Sequence, residues 1–164
     1  MNFLDIFLIF STLSCSLVTG FVFTYAVIVM PGLSTLDDRE FIRAFQVTDR
    51  VIQKNQLFFM VKWIGSIISV LGVVLFSIVS LELRGAWFTI LCGIVYLLGV
   101  QGVTMSIHLP LNNKIQKLKL EELSNQCLKE ERANFEGTWN FYNKIRTAIA
   151  FSLCVLFLFI LTLR

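Results

Sequence analysis

The sequence predicts an all-α membrane protein, a bundle of four transmembrane helices. Hydrophobic residues make up 56% of the 164 residues and charged residues only 15%, whereas a soluble domain is roughly half apolar and a quarter charged. The apolar residues are also clustered into long runs that alternate with charged segments. Such a run satisfies its own backbone hydrogen bonds in lipid by forming a helix. A chain of this length is expected to form one domain, residues 1–164.

Four runs are long enough to cross the hydrocarbon, which takes about 20 helical residues. The first lacks the basic start and the small-residue cleavage site of a secretory signal, so we expect it to be retained as a span. A short link at 82–85 joins spans two and three into a helical hairpin. The predicted spans are 6–30, 57–81, 86–107 and 147–163.

The charges predict the orientation in the membrane. Four spans place both long connections, 31–56 and 108–146, on the same side, and these hold eleven of the 14 Lys and Arg residues. Because cytoplasmic loops carry an excess of basic residues, we expect the long connections in the cytoplasm and both termini outside. The expected location is the bacterial inner membrane.

The first long connection is predicted to contain an amphipathic helix. Pro31 and Gly32 are expected to end span one, because proline disfavours helix at the residue before it and glycine relaxes the turn. Ser34 or Thr35 then suits the cap of a new helix that runs to Gln53. Its apolar and basic residues fall on opposite faces, so it should lie in the headgroup region or pack on the bundle mouth.

The second long connection is predicted to be helical as well. Pro110 is expected to break span three near the membrane surface. A charged helical stretch follows, and another helix begins near Ser124 and continues without a break into span four. We therefore expect a fourth helix that protrudes well beyond the bilayer.

The cysteines are interpreted as small buried hydrophobic residues. They show no Cys-x-x-Cys pattern and no Cys/His spacing typical of zinc, so no metal site and no disulfide framework are predicted. No cofactor is predicted either, although a co-purifying quinone, lipid or haem is left open. The four residues are Cys15, Cys92, Cys127 and Cys154.

Polar side chains at the edges of apolar spans are candidates for function, because they are costly there. His108 is the only histidine and is a candidate base, since histidine titrates near neutral pH; a structural hydrogen bond is the alternative. Gln101 falls on the same helical stripe. Lys62 of span two lies at the same membrane side, where snorkelling to the surface is the alternative to ligand binding.

The fourth helix carries a polar stripe that leads into the membrane. At helical spacing it places Arg132, Glu136, Trp139, Asn143 and Arg146 on one face. Such a face is poorly suited to lipid, so we expect it to face the bundle mouth.

The first amphipathic helix has a matching polar flank formed by Gln46, Asp49 and Gln53. Opposite charges on the two helices suggest pairing, for example Asp49 with Arg146 or Arg50 with Glu136. The network either docks the cytoplasmic helices onto the spans or borders a binding site. Its predicted structural members are Gln46, Asp49, Arg50, Gln53, Arg132 and Glu136.

Several segments resemble one family of membrane proteins. They include Ile-Val-Met-Pro-Gly-Leu at 28–33, Asp-Arg-Val-Ile-Gln at 49–53 and His-Leu-Pro-Leu-Asn-Asn at 108–113. The stripe of the fourth helix continues the same order and spacing. Over nearly its whole length the chain resembles a domain-of-unknown-function family of integral membrane proteins that includes the fungal anthrone-oxygenase-like proteins.

The resemblance implies a cofactor-independent oxygenase that converts an anthrone to an anthraquinone with dioxygen. In this chain it implies His108 as the base, Asn112 and Arg146 as stabilisers of the substrate anion, and Trp139 as a stacking surface. Lys62, Gln101 and Asn143 complete the candidate binding set.

The expected partners are membrane lipids, a hydrophobic aromatic molecule and a second copy or a membrane complex, with no nucleic acid. The alternative function is a non-enzymatic structural or accessory subunit of a membrane complex. A filled interior and an exposed apolar face of small residues favour that alternative, whereas a pocket favours the enzyme.

Overall fold

The computed structural model describes residues 2–54, 56–79 and 85–163, and in these ranges every regular element is helical. Four of the five main helices in these ranges are long and apolar enough to cross a membrane, and the helix Asp38–Gln53 is the exception. The predicted all-α membrane bundle is confirmed. The helices are α1 (Phe3–Leu33), α2 (Asp38–Gln53), α3 (Leu57–Val79), α4 (Ala86–Gln116) and α5 (Asn125–Thr162). The end of span two and residues 82–84 of the predicted link at 82–85 lie outside the described residues.

The four long helices pack around one core, each antiparallel to its neighbours. Helix α1 runs against α3, where the hydroxyl groups of Ser14 and Ser69 are 3.1 Å apart. It also runs against α5, where the Asn143 amide donates to the Val22 carbonyl at 3.1 Å. Helix α4 closes the ring by packing on both α3 and α5. All four cysteines are free.

Gly72 is a position where two spans approach closely. A Cβ atom added there would collide with the ring of Phe7 on α1, whereas one added at Gly65 would meet nothing within 4 Å. Small residues allow helices to approach in the membrane, where no hydrophobic force draws them together. Of these two glycines on α3, Gly72 is the one that the α1–α3 contact requires.

A second hydrophobic cluster forms where the long connections fold over one end of the bundle. Phe41 and Phe45 of α2 insert between Ile115 of α4 and Phe135 of α5, and all four are buried. The rings of Phe45 and Phe135 meet edge to face with centroids 4.6 Å apart. This cluster fixes the amphipathic helix α2 on the bundle mouth.

The two prolines do not end their helices, contrary to prediction. Helix α1 continues through Pro31 to Leu33, and α4 continues through Pro110 to Gln116. A π-helical turn precedes each proline, at Tyr25–Val29 and Thr104–His108. Proline clashes with the carbonyl four residues back, and a wider turn moves that carbonyl aside, so the helix continues.

The cap of α2 also differs from the prediction. The N-cap is Asp37, whose carboxylate accepts from the backbone N–H of Glu40 at 2.8 Å. The hydroxyl groups of Ser34 and Thr35 instead donate back to the carbonyls of Pro31 and Gly32. They close the end of α1 because that helix runs three residues further than expected.

Candidate functional site

A cavity of about 380 Å³ lies where α1, α3, α4 and α5 meet α2. This volume falls in the range of small-molecule pockets. Its polar lining residues are Asp49, Gln53, Thr104, His108, Asn112 and Arg146. Its aromatic lining residues are Phe21, Tyr25, Phe45, Phe59, Trp63 and Trp139. A mostly apolar pocket with a few converging polar groups is the usual form of a ligand site.

Arg146 places a buried positive charge at this cavity. Its side chain is 4% exposed. Nε donates to the Asn143 side-chain oxygen at 2.9 Å and Nη1 donates to the Thr104 hydroxyl at 3.0 Å. No carboxylate among the described residues lies within ion-pairing distance of the guanidinium. Two neutral partners hold the group in position and leave its charge uncompensated.

Asp49 approaches the cavity from α2 but does not pair with Arg146. Its carboxylate instead accepts from three side-chain amides, those of Asn112 at 2.8 Å, Gln116 at 3.0 Å and Gln53 at 2.7 Å. Burial raises the pKa of this carboxyl group above its ordinary value, and the three hydrogen bonds oppose that rise. The predicted Asp49–Arg146 ion pair is therefore wrong.

Asn112 connects Asp49 to the aromatic wall. Its amide nitrogen donates to Asp49, and its oxygen accepts from the Trp139 indole N–H at 2.9 Å. The amide cannot be reversed without losing both bonds, so its orientation is fixed. The indole ring of Trp139 is buried and lies 5.6 Å from the Arg146 guanidinium carbon.

His108 completes the polar part of the cavity. The side chain is 2% exposed, and its ring meets Trp139 edge to face with centroids 5.1 Å apart. Nδ1 lies 3.4 Å from the Val103 carbonyl. Nε2 is buried and has no hydrogen-bond partner in the described part of the chain. His108 lines the cavity, and a buried ring nitrogen without a partner can accept a proton or a hydrogen bond from a group that reaches it.

A family model described as anthrone oxygenase matches residues 53–156. This chain belongs to the anthrone oxygenase family. No curated protein and no solved structure matches it. The matched region contains α3, α4 and most of α5, and hence His108, Asn112, Trp139 and Arg146. Asp49 on α2 lies outside it.

In this anthrone oxygenase family member, three predicted binding residues lie beside the cavity rather than on its wall. Lys62 places its ammonium 4.0 Å from the centroid of the Phe21 ring and 4.3 Å from that of Phe59. Gln101 donates to the hydroxyl of Ser66 at 3.0 Å, within the interface of α3 and α4. Asn143 positions Arg146.

Most members of the predicted structural network join α2 to α4 and α5 or to the segment between them. The Gln46 amide donates to the carbonyls of Ile115 and Leu118. Arg132 contacts Asp38 at 3.1 Å and Glu136 at 2.8 Å. Arg50 is exposed on the outer face of α2, and the predicted Arg50–Glu136 pair does not form.

Sequence reasoning missed several aromatic wall residues. Phe21 and Tyr25 are four residues apart on α1, and Phe59 and Trp63 are four apart on α3, so each pair shares a helix face. This spacing was the signal that could have identified them. Thr104, the partner of Arg146, gives no comparable signal in the sequence. Among the described residues, no three His, Cys, Asp or Glu side chains converge as a metal site.

Proposed function

We propose that this member of the anthrone oxygenase family binds and oxidises a flat, hydrophobic aromatic molecule of the anthrone or quinone class in the cavity. The observation that carries the proposal is the buried charge of Arg146, which lines the cavity and has no carboxylate partner in the part of the chain that the structure describes. An isolated charge in a low-dielectric setting is costly. A substrate that becomes an anion in the cavity supplies the missing partner.

The aromatic walls support the choice of substrate class. In the cavity wall the rings of Tyr25 and Phe45 both contact Trp139, and Phe59 stacks on Trp63. Aromatic rings prefer offset or edge-to-face contact with other rings, at about 0.5–1.5 kcal/mol for each pair beyond simple burial. A planar, fused-ring molecule makes several such contacts at once.

His108 supplies the base in this proposal. Its Nε2 accepts a proton from the CH₂ carbon between the aromatic rings of an anthrone, and the electron pair moves into the ring system to give an oxyanion. Charge-assisted hydrogen bonds from Arg146 to this oxyanion are stronger than those to the neutral ketone. Arg146 therefore stabilises the charge that develops in the reaction, which lowers the barrier.

Dioxygen completes the reaction without a further reductant. The deprotonated carbon bonds to one oxygen atom of O₂, and the resulting peroxide takes the proton back from His108. Loss of the second hydrogen of that carbon as a proton, with cleavage of the O–O bond, releases water and forms the second C=O group. One anthrone and one O₂ thus give one anthraquinone and one water.

The experiment compares anthraquinone formation from anthrone by the purified protein in lipid nanodiscs. Spontaneous oxidation without protein is subtracted. The change His108→Gln removes the base but keeps a polar side chain, and a general base contributes about 10²–10⁴-fold. We expect a loss of that order, with Lys117→Ala on the exposed surface as the matched control. Equal rates in both variants refute His108 as the base, and no rate above the uncatalysed reaction refutes the oxidation.

A further inference from the structure

We propose that the cavity takes up its substrate sideways from the bilayer, as an uncharged aromatic molecule, through a gap between α3 and α4. The gap is bordered by Ile64, Met105 and Leu109. This inference rests on the proposed function, because it assumes that an aromatic molecule binds in the cavity. It adds the route of access and the charge state in which the molecule arrives.

Three of the exposed residues of the cavity wall are apolar and belong to membrane-spanning helices, whereas the exposed Gln53 lies on α2, outside the spans. Ile64 of α3 is 46% exposed, and Met105 and Leu109 of α4 are 56% and 46% exposed. All three line the cavity. A side chain that lines a cavity and is also half exposed marks where the cavity reaches the surface. By contrast, the polar residues His108 and Arg146 are buried at the inner end.

The gap arises because α3 and α4 diverge toward the cavity. Their contact is close near Gly93, where an added Cβ would collide with Val74. Nearer the cavity, the hydrogen bond from Gln101 to Ser66 joins the two helices. Beyond it, α3 makes only sparse contact with the π-helical turn Thr104–His108.

The position of the gap places it at the level of the hydrocarbon. Ile64 is seven residues into α3, which corresponds to about 10 Å along the helix axis. The hydrocarbon is about 30 Å thick, and α3 is long and apolar enough to cross it. A surface opening at this depth faces lipid chains rather than water.

This arrangement selects a neutral molecule at the gap and an anion inside. A charged group crossing a border of Ile64, Met105 and Leu109 would lose its hydration without a partner. A neutral fused-ring molecule already dissolved in the bilayer loses nothing comparable. Its charge is then formed beside Arg146, where a partner is present.

The test narrows the gap with tryptophan and compares two probes. Ile64→Trp and Met105→Trp add bulk at the border. Val61→Trp and Leu98→Trp are the matched controls, because these residues are exposed on the same two helices but do not line the cavity. The neutral probe is 1,8-dihydroxyanthraquinone, dissolved in phosphatidylcholine vesicles and followed by its own fluorescence. The charged probe is anthraquinone-2-sulfonate, added from water.

We expect Ile64→Trp and Met105→Trp to slow uptake of the neutral probe by about tenfold or more, within the range over which association rates vary among mutants of one site. The controls should leave it unchanged, and the sulfonate should bind slowly to every variant. Unchanged uptake in the border variants, or equally fast binding of the sulfonate, overturns the lateral route. If either tryptophan variant does not fold, Ile64→Phe and Met105→Phe give a smaller obstruction.

Failure of the route can be told apart from failure of the proposed function. The change Arg146→Met tests whether the neutral probe binds in this cavity at all. If it weakens binding while the border variants take up the probe normally, only the route is wrong. If Arg146→Met binds as tightly as the unmodified protein, the site itself is wrong, and the lateral route falls with it.

Discussion

Replacing Arg146 by methionine should weaken ligand binding strongly while changing the stability of the ligand-free protein little. Removing one member of a buried ion pair normally costs several kcal/mol, because the charge of its partner is left uncompensated. Arg146 has no carboxylate partner in the described structure, and its side chain bonds only to Asn143 and Thr104. Methionine is similar in length and apolar, so it fills most of the space without carrying the charge.

The magnitude follows from the two hydrogen bonds. Loss of the Nε donor leaves the Asn143 oxygen unpaired, at about 1–3 kcal/mol for a buried acceptor. The Thr104 hydroxyl keeps its bond to the Val100 carbonyl at 2.7 Å. Removal of the buried charge relieves a desolvation penalty of several kcal/mol. The variant should therefore lose no more than about 1 kcal/mol of its free energy of unfolding, and a gain in stability would fit the same argument. For a chain of this size, about 1 kcal/mol corresponds to about 2–4 °C in Tm.

Binding should respond in the opposite way. Hydrogen bonds to a charged group contribute about 1.5–3 kcal/mol, which at about 1.4 kcal/mol for each factor of ten is a loss of roughly 10- to 150-fold in affinity. Thermal unfolding in detergent, followed by tryptophan fluorescence, gives Tm. Titration with 1,8-dihydroxyanthraquinone in nanodiscs gives Kd.

The matched control is Arg132→Met on the same helix. Arg132 is paired with Asp38 and Glu136, so its loss leaves two carboxylates without their cation. This variant should have a lower Tm than Arg146→Met and an unchanged Kd. If Arg146→Met instead unfolds at the lower temperature and binds the probe normally, Arg146 is a structural residue and the charge argument is refuted.

Three further predictions concern the carboxylate, the packing and the orientation. Because the pKa of Asp49 is raised by burial, its stabilising contribution is present below its unfolded pKa of about 4 and is lost as pH rises through the folded pKa. The Tm of the unmodified protein should therefore fall relative to Asp49→Asn as pH is raised from 4 to 7, and parallel curves would contradict this. Gly72→Ala should lower stability by about 1–3 kcal/mol through overpacking against Phe7, whereas Gly65→Ala, with open space around it, should not; equal effects on Tm would refute the close contact. A reporter fused in the 113–130 region should be cytoplasmic and one at the C-terminus external, and the reverse assignment would mean that the charge bias does not set the orientation.

The helices could be predicted because their periodicity is visible in the local sequence. The helix ends at the two prolines were predicted wrongly because the rule used there also considers only the local sequence. The rule that Pro110 ends a helix assumes α-helical geometry in the preceding turn. Here Thr104–His108 is π-helical, and nothing in the sequence of those residues indicates the wider turn. The π-helical turn keeps α4 continuous through Pro110, so that His108 and Asn112 stand on one helix beside the cavity.

The polar stripe of α5 was predictable in position but not in its partners. Trp139, Asn143 and Arg146 face inward because helical spacing alone places them on one side. The partner of Arg146 depends on how far α2 is rotated about its axis, which the stripe does not determine. In the structure that rotation presents Asp49 to the amides of Asn112 and Gln116 on α4.

The separation of Asp49 from Arg146 has a chemical consequence for the cavity. Had the two formed an ion pair, the guanidinium would already be neutralised, and an incoming anion would have to displace a carboxylate. Three side-chain amides satisfy Asp49 instead, and they bring no positive charge with them. The cavity is thus lined by a cation held by neutral groups and by His108, whose Nε2 has no hydrogen-bond partner among the described residues. In the proposed reaction such a pair would favour proton removal, because a neutral imidazole can take the proton and the cation is in place to stabilise the resulting anion.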